Sequence, residues 1–122
     1  MSRILVVEDD TWYRELLVEM LVQDGHQTFE AGDGDEALKR MQEASIELVI
    51  IDMLMPNKDG LDTITEMGRL GYGIPVIAMS GGRRSLSAEF NLESARLLGV
   101  KAALAKPFSR ADLRTAISDV MG

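Results

Sequence analysis

The sequence predicts an α/β protein whose parallel, doubly wound sheet has helices on both faces. Five short apolar runs alternate with segments whose apolar residues recur at helical spacing. The runs at 4–7, 48–51 and 74–79 are almost continuously apolar, which is typical of strands buried on both faces. Strand-then-helix units with short connections join through right-handed crossovers into a parallel sheet. We therefore expect a (βα)5 architecture.

The first two units are predicted from the amino-terminal 43 residues. A buried strand at 4–7 precedes a helix at 11–23, which Gly25 ends. A weaker strand at 26–30 is followed by a helix at 35–43. The predicted inner face of the first helix consists of Tyr13, Leu16, Leu17, Met20 and Leu21. His26 lies in the turn after that helix and is expected at the surface.

The remaining elements alternate in the same way. They are predicted as strands at 48–51, 74–79 and 101–105 and helices at 59–70, 88–98 and 109–121. Asp59 and Ser109 are expected to cap the helices that they begin. Pro75 is compatible with a strand only near its first residue. The least regular stretch, 81–87, contains Arg83 and Arg84 and is expected to be a solvated loop or a contact surface.

Composition limits the possible functions. A chain of 122 residues has the size of one domain, so we expect a single domain over 1–122 without an output domain. The net charge of −7 disfavours direct nucleic acid binding and attachment to anionic membranes. The chain has no cysteine and no apolar run of the roughly 20 residues that a membrane-spanning helix needs. A soluble cytoplasmic protein is expected.

Polar residues stand where the predicted strands end. Glu8 and Asp9 follow the first strand and Asp52 follows the third. Because parallel strands end at one edge of the sheet, these three carboxylates are expected to converge there. Like charges in one pocket are costly unless a cation joins them. Mg²⁺ suits such a site, since it uses one or two carboxylates and keeps waters that phosphate oxygens can replace.

Two further residues extend this site towards phosphate chemistry. Ser80 ends the fourth strand and can donate one hydrogen bond, and Lys106 ends the fifth and carries a positive charge. A carboxylate nucleophile, a metal, a lysine and a hydroxyl together can form an aspartyl phosphate. Asp10 is expected to cap the first helix rather than to bind metal.

Four motifs in the same order resemble those of response-regulator receiver domains. They are Ile-Leu-Val-Val-Glu-Asp at 4–9, Asp-Met-Leu-Met-Pro-Asn-Lys-Asp-Gly at 52–60, Ser80-Gly81, and Lys106-Pro107-Phe108. The resemblance covers nearly the whole chain and implies the flavodoxin-like strand order 2-1-3-4-5. It also implies a cis peptide bond before Pro107.

The resemblance implies a role for each site residue. Asp52 corresponds to the phosphoacceptor, which takes a phosphoryl group from a histidine kinase, a phosphotransfer protein or a small phosphodonor. Glu8 and Asp9 correspond to the acidic pair that holds Mg²⁺ with Asp52, and the main-chain carbonyl of Leu54 corresponds to a further ligand.

The phosphoryl-binding pair and the output follow from the same resemblance. Ser80 and Lys106 correspond to the residues that bind the phosphoryl group. The expected result is a switch that changes its surface for an output protein or effector domain, with a possible phosphorylation-dependent dimer, and that has no enzymatic activity beyond its own phosphorylation and dephosphorylation.

Departures from the family pattern leave alternatives open. Ala103 stands where many receivers have an aromatic switch residue, three positions before the lysine. Leu54 and Gly82 offer no side chain to orient a water, so slow hydrolysis of the phosphoryl group is expected. An adapter that is never phosphorylated is one alternative. A hydrolase with Asp52 as nucleophile is another, but Leu54 stands where such enzymes have a second carboxylate.

Overall fold

The computed structural model describes residues 1–55, 57–81 and 100–122. Its strands are β1 (Arg3–Val7), β2 (Gln27–Ala31), β3 (Leu48–Asp52), β4 (Val76–Gly81) and β5 (Ala102–Lys106). Its helices are α1 (Thr11–Gln23), α2 (Gly34–Glu43), α3 (Gly60–Arg69) and α4 (Arg110–Met121). The predicted helix at 88–98 and the stretch at 82–87 lie outside the described residues.

The five strands form one parallel sheet in the order β2-β1-β3-β4-β5. The predicted strand order is therefore confirmed. Register places Asp52 of β3 opposite Met79 of β4, and Gly81 of β4 opposite Lys106 of β5. The carboxyl ends of these strands consequently lie at one edge of the sheet.

Side chains alternate between two apolar layers, one on each face of the sheet. In β1, Leu5 and Val7 face the layer that includes α2 and α3, whereas Ile4 and Val6 face the layer that includes α1 and α4. All four side chains are fully buried. This double burial is the reason that the strand sequences lack polar alternation, and it confirms the doubly wound fold class.

Helix ends agree closely with the sequence. Asp10, Asp59 and Ser109 each accept a hydrogen bond from a main-chain N–H in the first turn of the following helix. Ser109 also forms a reciprocal capping box with Asp112. These caps satisfy N–H groups that have no partner within their own helix. The predicted starts of α1, α3 and α4 are accurate to one residue for this reason.

Strand boundaries were predicted less well. β4 begins at Val76 and runs through Gly81, two residues later than predicted. Pro75 has no N–H to donate to a ladder, and its carbonyl accepts from the main-chain N of Val49 at 3.0 Å, just before the strand begins. Gly81 belongs to β4 and not to an irregular segment.

One surface prediction was wrong. Leu16 was placed on the inner face of α1, but 37% of it is exposed, while Leu17 and Leu21 are fully buried. The buried stripe of α1 is narrower than the spacing of its apolar residues indicated. His26 is partly exposed at the surface, as expected, and its Nδ1 accepts a hydrogen bond from the main-chain N of Ser2 at 3.0 Å. Among the described residues, no helix has the length and apolarity needed to cross a membrane.

Candidate functional site

Asp52 is held at the carboxyl end of the central strand. It is buried, with 5% of the residue exposed. Its Oδ1 accepts a hydrogen bond from the main-chain N of Leu54 at 3.1 Å, and its Oδ2 accepts from Lys106 Nζ at 3.2 Å. These two hydrogen bonds hold the Asp52 carboxylate in one orientation. The main-chain carbonyl of Leu54 remains a predicted metal ligand.

Glu8 and Asp9 meet Asp52 at this edge. Glu8 follows β1 and is almost completely buried, whereas Asp9 is exposed. One carboxylate oxygen from each of Glu8, Asp9 and Asp52 lies within 4.8 Å of the others. Three hard oxygen donors this close together fit a hard divalent cation such as Mg²⁺. The predicted convergence of these carboxylates is confirmed.

Lys106 connects the two buried carboxylates. Its Nζ donates hydrogen bonds to Glu8 Oε1 and to Asp52 Oδ2. Burial raises the pKa of Glu8 to about 7, and the charge of Asp52 adds to the rise, although Lys106 opposes it. Burial disfavours the ammonium of Lys106, but its hydrogen bond to Glu8 and the charge of Asp52 outweigh this and raise its pKa. Because two carboxylates face a single ammonium, a further positive charge would be favourable at this site.

Ser80 supplies an unused donor beside this cluster. It is fully buried on β4, and its Oγ has no hydrogen-bond partner within the described part of the chain. A buried hydroxyl without a partner carries a desolvation cost. A ligand oxygen that entered the pocket could accept its hydrogen bond.

Tyr13 is a site residue that the sequence reasoning missed. The centroid of its ring lies 4.6 Å from Lys106 Nζ and 6.0 Å from the ring centroid of Phe108, with the two rings perpendicular. The sequence indicated only that Tyr13 belongs to the apolar face of α1. The sequence did place Tyr13 in the first turn of the helix that follows Glu8 and Asp9, and this closeness to the acidic pair could have indicated a place at the site. Ala103, by contrast, lies opposite Ala78 in the sheet.

Gly60 was also missed as part of the site. A Cβ added at this position would lie 2.6 Å from the main-chain O of Asp52 and 2.7 Å from Cα of Met53. Only a residue without a side chain lets the first turn of α3 approach the end of β3 so closely. From the sequence, this glycine was included only as the last residue of the motif at 52–60, which did not indicate what it contacts.

The fold and the site together define a class of protein: a doubly wound α/β domain with a lysine-bridged acidic pocket at the carboxyl edge of its sheet. The profile of the response regulator receiver domain matches residues 4–118, and the chain belongs to that family. The Lys106–Pro107 peptide bond is cis, as the resemblance implied.

Named relatives agree with this assignment. The chain is 38% identical over 116 residues to the transcriptional regulatory protein PdtaR of Mycobacterium tuberculosis, a match that covers 94% of this chain and 54% of the relative. It is 30% identical over 120 residues to the chemotaxis protein CheY of Halobacterium salinarum, covering 98% of this chain and 97% of that protein. The chain thus spans about half the length of the first of these relatives.

A solved structure supports the fold independently. The response regulator receiver domain protein of Clostridium thermocellum superimposes with a TM-score of 0.84 at 29% identity, covering 98% of this chain and 93% of that one. The chain is therefore a receiver domain of two-component signalling. Receiver domains are phosphoaccepting signalling domains rather than ordinary enzymes, and they generally bind Mg²⁺.

Proposed function

We propose that Asp52 accepts a phosphoryl group from a histidine kinase or a phosphotransfer protein, in a reaction that requires Mg²⁺. The observation that supports this most is the environment of Asp52. Its buried carboxylate is hydrogen-bonded to Lys106 and to the main chain of Leu54, and Glu8 and Asp9 contribute oxygens within 4.8 Å. Membership of the receiver family supports a phosphoacceptor over a structural ion cluster.

Each residue has a distinct task in the transfer. A carboxylate oxygen of Asp52 forms a bond to phosphorus while the bond from phosphorus to the donor breaks. Lys106 offsets negative charge on the transferred oxygens, and Ser80 donates its free hydrogen bond to one of them. Glu8, Asp9, Asp52 and the carbonyl of Leu54 would hold Mg²⁺, which supplies positive charge against the charge that develops on those oxygens.

Phosphorylation would then shift the population of the domain. Lys106 now binds Glu8 and Asp52, and a phosphoryl group on Asp52 offers it new acceptors. Ser80 gains the partner it lacks among the described residues. Because both residues lie at the ends of β4 and β5, their movement would alter the surface there for an output protein, an effector domain or a second copy.

Intact mass spectrometry after incubation with acetyl phosphate tests this proposal. With Mg²⁺, the native chain is expected to gain one phosphoryl group, and the gain should disappear on treatment with hydroxylamine, which cleaves acyl phosphates. Asp52→Ala should gain none, and neither should the native chain with excess chelator.

Asp59→Ala is the matched control, because Asp59 is an aspartate that caps α3 and is not one of the carboxylates paired with Lys106 in the described part of the chain. It should still be phosphorylated. A native chain that gains no mass would overturn the proposal and favour the adapter that is never phosphorylated. A gain that persists in Asp52→Ala would assign the phosphoacceptor to another residue.

A further inference from the structure

Lys106 has a third neighbour that the phosphoacceptor scheme does not use. An ammonium group has three N–H donors, and two of those of Lys106 are directed to Glu8 and Asp52. The ring of Tyr13 is a third neighbour, and Nζ lies over it at 4.6 Å from its centroid. This distance is within the range in which an aromatic face attracts a cation.

The chemistry of that third neighbour matters for transfer. A third carboxylate would add charge to a pocket that is already acidic, and an aliphatic side chain would offer the ammonium no electrostatic attraction. An aromatic face attracts the cation without a directional hydrogen bond. Lys106 can therefore turn from Asp52 towards a phosphoryl oxygen and still remain against the ring.

The ring itself is fixed by its surroundings. It is half-buried in the layer between the sheet and α1, and it packs perpendicular to Phe108, two residues beyond Lys106. Tyr13 thus joins the start of α1 to the segment that follows β5. Because Ala103 on β5 is not aromatic, the aromatic ring against the Lys106 ammonium comes from α1 instead.

We propose that Tyr13 is a positioning residue, whose ring face holds the Lys106 ammonium where it can meet the incoming phosphoryl group. The proposal rests on the proposed function of Asp52 and adds a residue to it. It requires the aromatic face and not the hydroxyl, because the ring is the part of Tyr13 that faces Nζ.

Two substitutions separate the ring from its hydroxyl. Tyr13→Phe keeps the face, and Tyr13→Leu keeps an apolar side chain without it. Phosphorylation by acetyl phosphate with Mg²⁺ should be about threefold to tenfold slower in Tyr13→Leu, as expected for loss of one cation–π contact, and close to native in Tyr13→Phe. The matched control is Phe29→Leu, which removes the ring that lies 5.2 Å from Arg3 in another part of the molecule.

A spectroscopic measurement tests the placement without phosphorylation. Protons of the Lys106 ε-methylene group should show an upfield ring-current shift by NMR in the native chain and in Tyr13→Phe, and the shift should be lost in Tyr13→Leu. The shift reports on the ring and the lysine alone, so a general loss of stability does not imitate it.

The outcomes are distinguishable. Native rates in Tyr13→Leu, equal slowing in Tyr13→Phe, or equal slowing in Phe29→Leu would each overturn the positioning role. If the native chain gains no phosphoryl group, the proposed function of Asp52 fails. In that case a ring-current shift that depends on the Tyr13 ring still supports the placement of Lys106, and one that persists in Tyr13→Leu overturns it.

Discussion

The two ends of α1 carry two charge clusters of opposite composition. Near its start, Glu8 and Asp52 face the single ammonium of Lys106. At its end, the single carboxylate of Asp24 faces two guanidinium groups from α4. A helix of 13 residues separates the clusters by about 20 Å.

The second cluster consists of Asp24, Arg110 and Arg114. Asp24 Oδ1 accepts from Arg110 Nη2 at 2.5 Å and from Arg114 Nη2 at 2.8 Å, and Arg114 Nε reaches both carboxylate oxygens at 3.1 Å. The hydrogen bonds of Arg114 and then of Arg110 hold the pKa of Asp24 well below its usual range. The arginine side chains are 58% and 39% exposed.

Burial and charge balance give these clusters different roles. Both arginines pair with Asp24 and water can solvate their exposed parts, so this cluster connects α1 to α4. Only Arg110 Nε is buried without a hydrogen-bond partner among the described residues of the cluster. Glu8 and Asp52 are buried and outnumber their cation, so they are stabilised by any cation that joins them. The same kinds of side chain thus form a structural salt-bridge cluster at one end of the helix and a candidate binding site at the other.

Magnesium binding should stabilise the fold through one cluster only. At about 100 times its dissociation constant, Mg²⁺ should raise the free energy of unfolding of the native chain by about 2.7 kcal/mol. Asp9→Asn removes one of the three carboxylates; if affinity falls about a hundredfold, about 0.4 kcal/mol of this effect remains. Urea unfolding with and without Mg²⁺ measures both values.

Asp24→Asn is the matched control for this experiment. It also changes one aspartate at an end of α1, but it should leave the increase caused by Mg²⁺ unchanged. An equal loss of the increase in both variants would show that the stabilisation does not come from the acidic pocket.

The two ends of α3 allow a smaller and purely steric test. Gly60→Ala places a methyl group 2.6 Å from the main-chain O of Asp52, so it should lower the free energy of unfolding by about 1 to 3 kcal/mol and slow phosphorylation. Gly68→Ala adds the same methyl group in the same helix, with nothing within 4 Å, and should raise stability by about 0.5 to 1 kcal/mol. Chemical denaturation and mass spectrometry measure the two effects. Similar stabilities for both variants would contradict the close approach at Gly60.

The smallest expected effect concerns pH and the cluster around Asp24. Its folded pKa is depressed, so its contribution to stability is present above the unfolded pKa of about 3.8 and is lost as pH falls towards the folded value. Asp24→Asn should therefore lower the Tm by a few degrees at about pH 6, and the difference from the native chain should shrink at about pH 2. High salt should shrink it as well, because the arginines are exposed. A difference that grows on acidification would contradict this assignment.

The residues that could be predicted are those whose positions follow from local patterns in the sequence. Asp52 and Lys106 each end an apolar strand, so their place at the carboxyl edge follows from parallel pairing, and the sheet register confirms it. Asp59 and Ser109 cap helices through contacts only three residues along the chain. Such patterns are local and can be read without coordinates.

The residues that were missed or misplaced depend on how helices lie on the sheet. The spacing of Leu16 fits the inner face of α1, but the rotation of the packed helix exposes it. Helix placement also decides the contact between Tyr13 and Lys106. It likewise decides the ion pair between Asp24 and Arg114, which are 90 positions apart in the sequence. No periodicity encodes which side chain meets which across such a separation.

The sequence by itself determined the strand–helix alternation, the acidic and basic residues at the strand ends, and the family to which the chain belongs, because all three are carried by local patterns and their order. Only the tertiary structure decided which partner each charge has and how deeply it is buried. Those contacts arise when helices dock on the sheet, where small rotations select among neighbours. These tertiary contacts make the start of α1 a candidate binding site and its end a structural salt-bridge cluster.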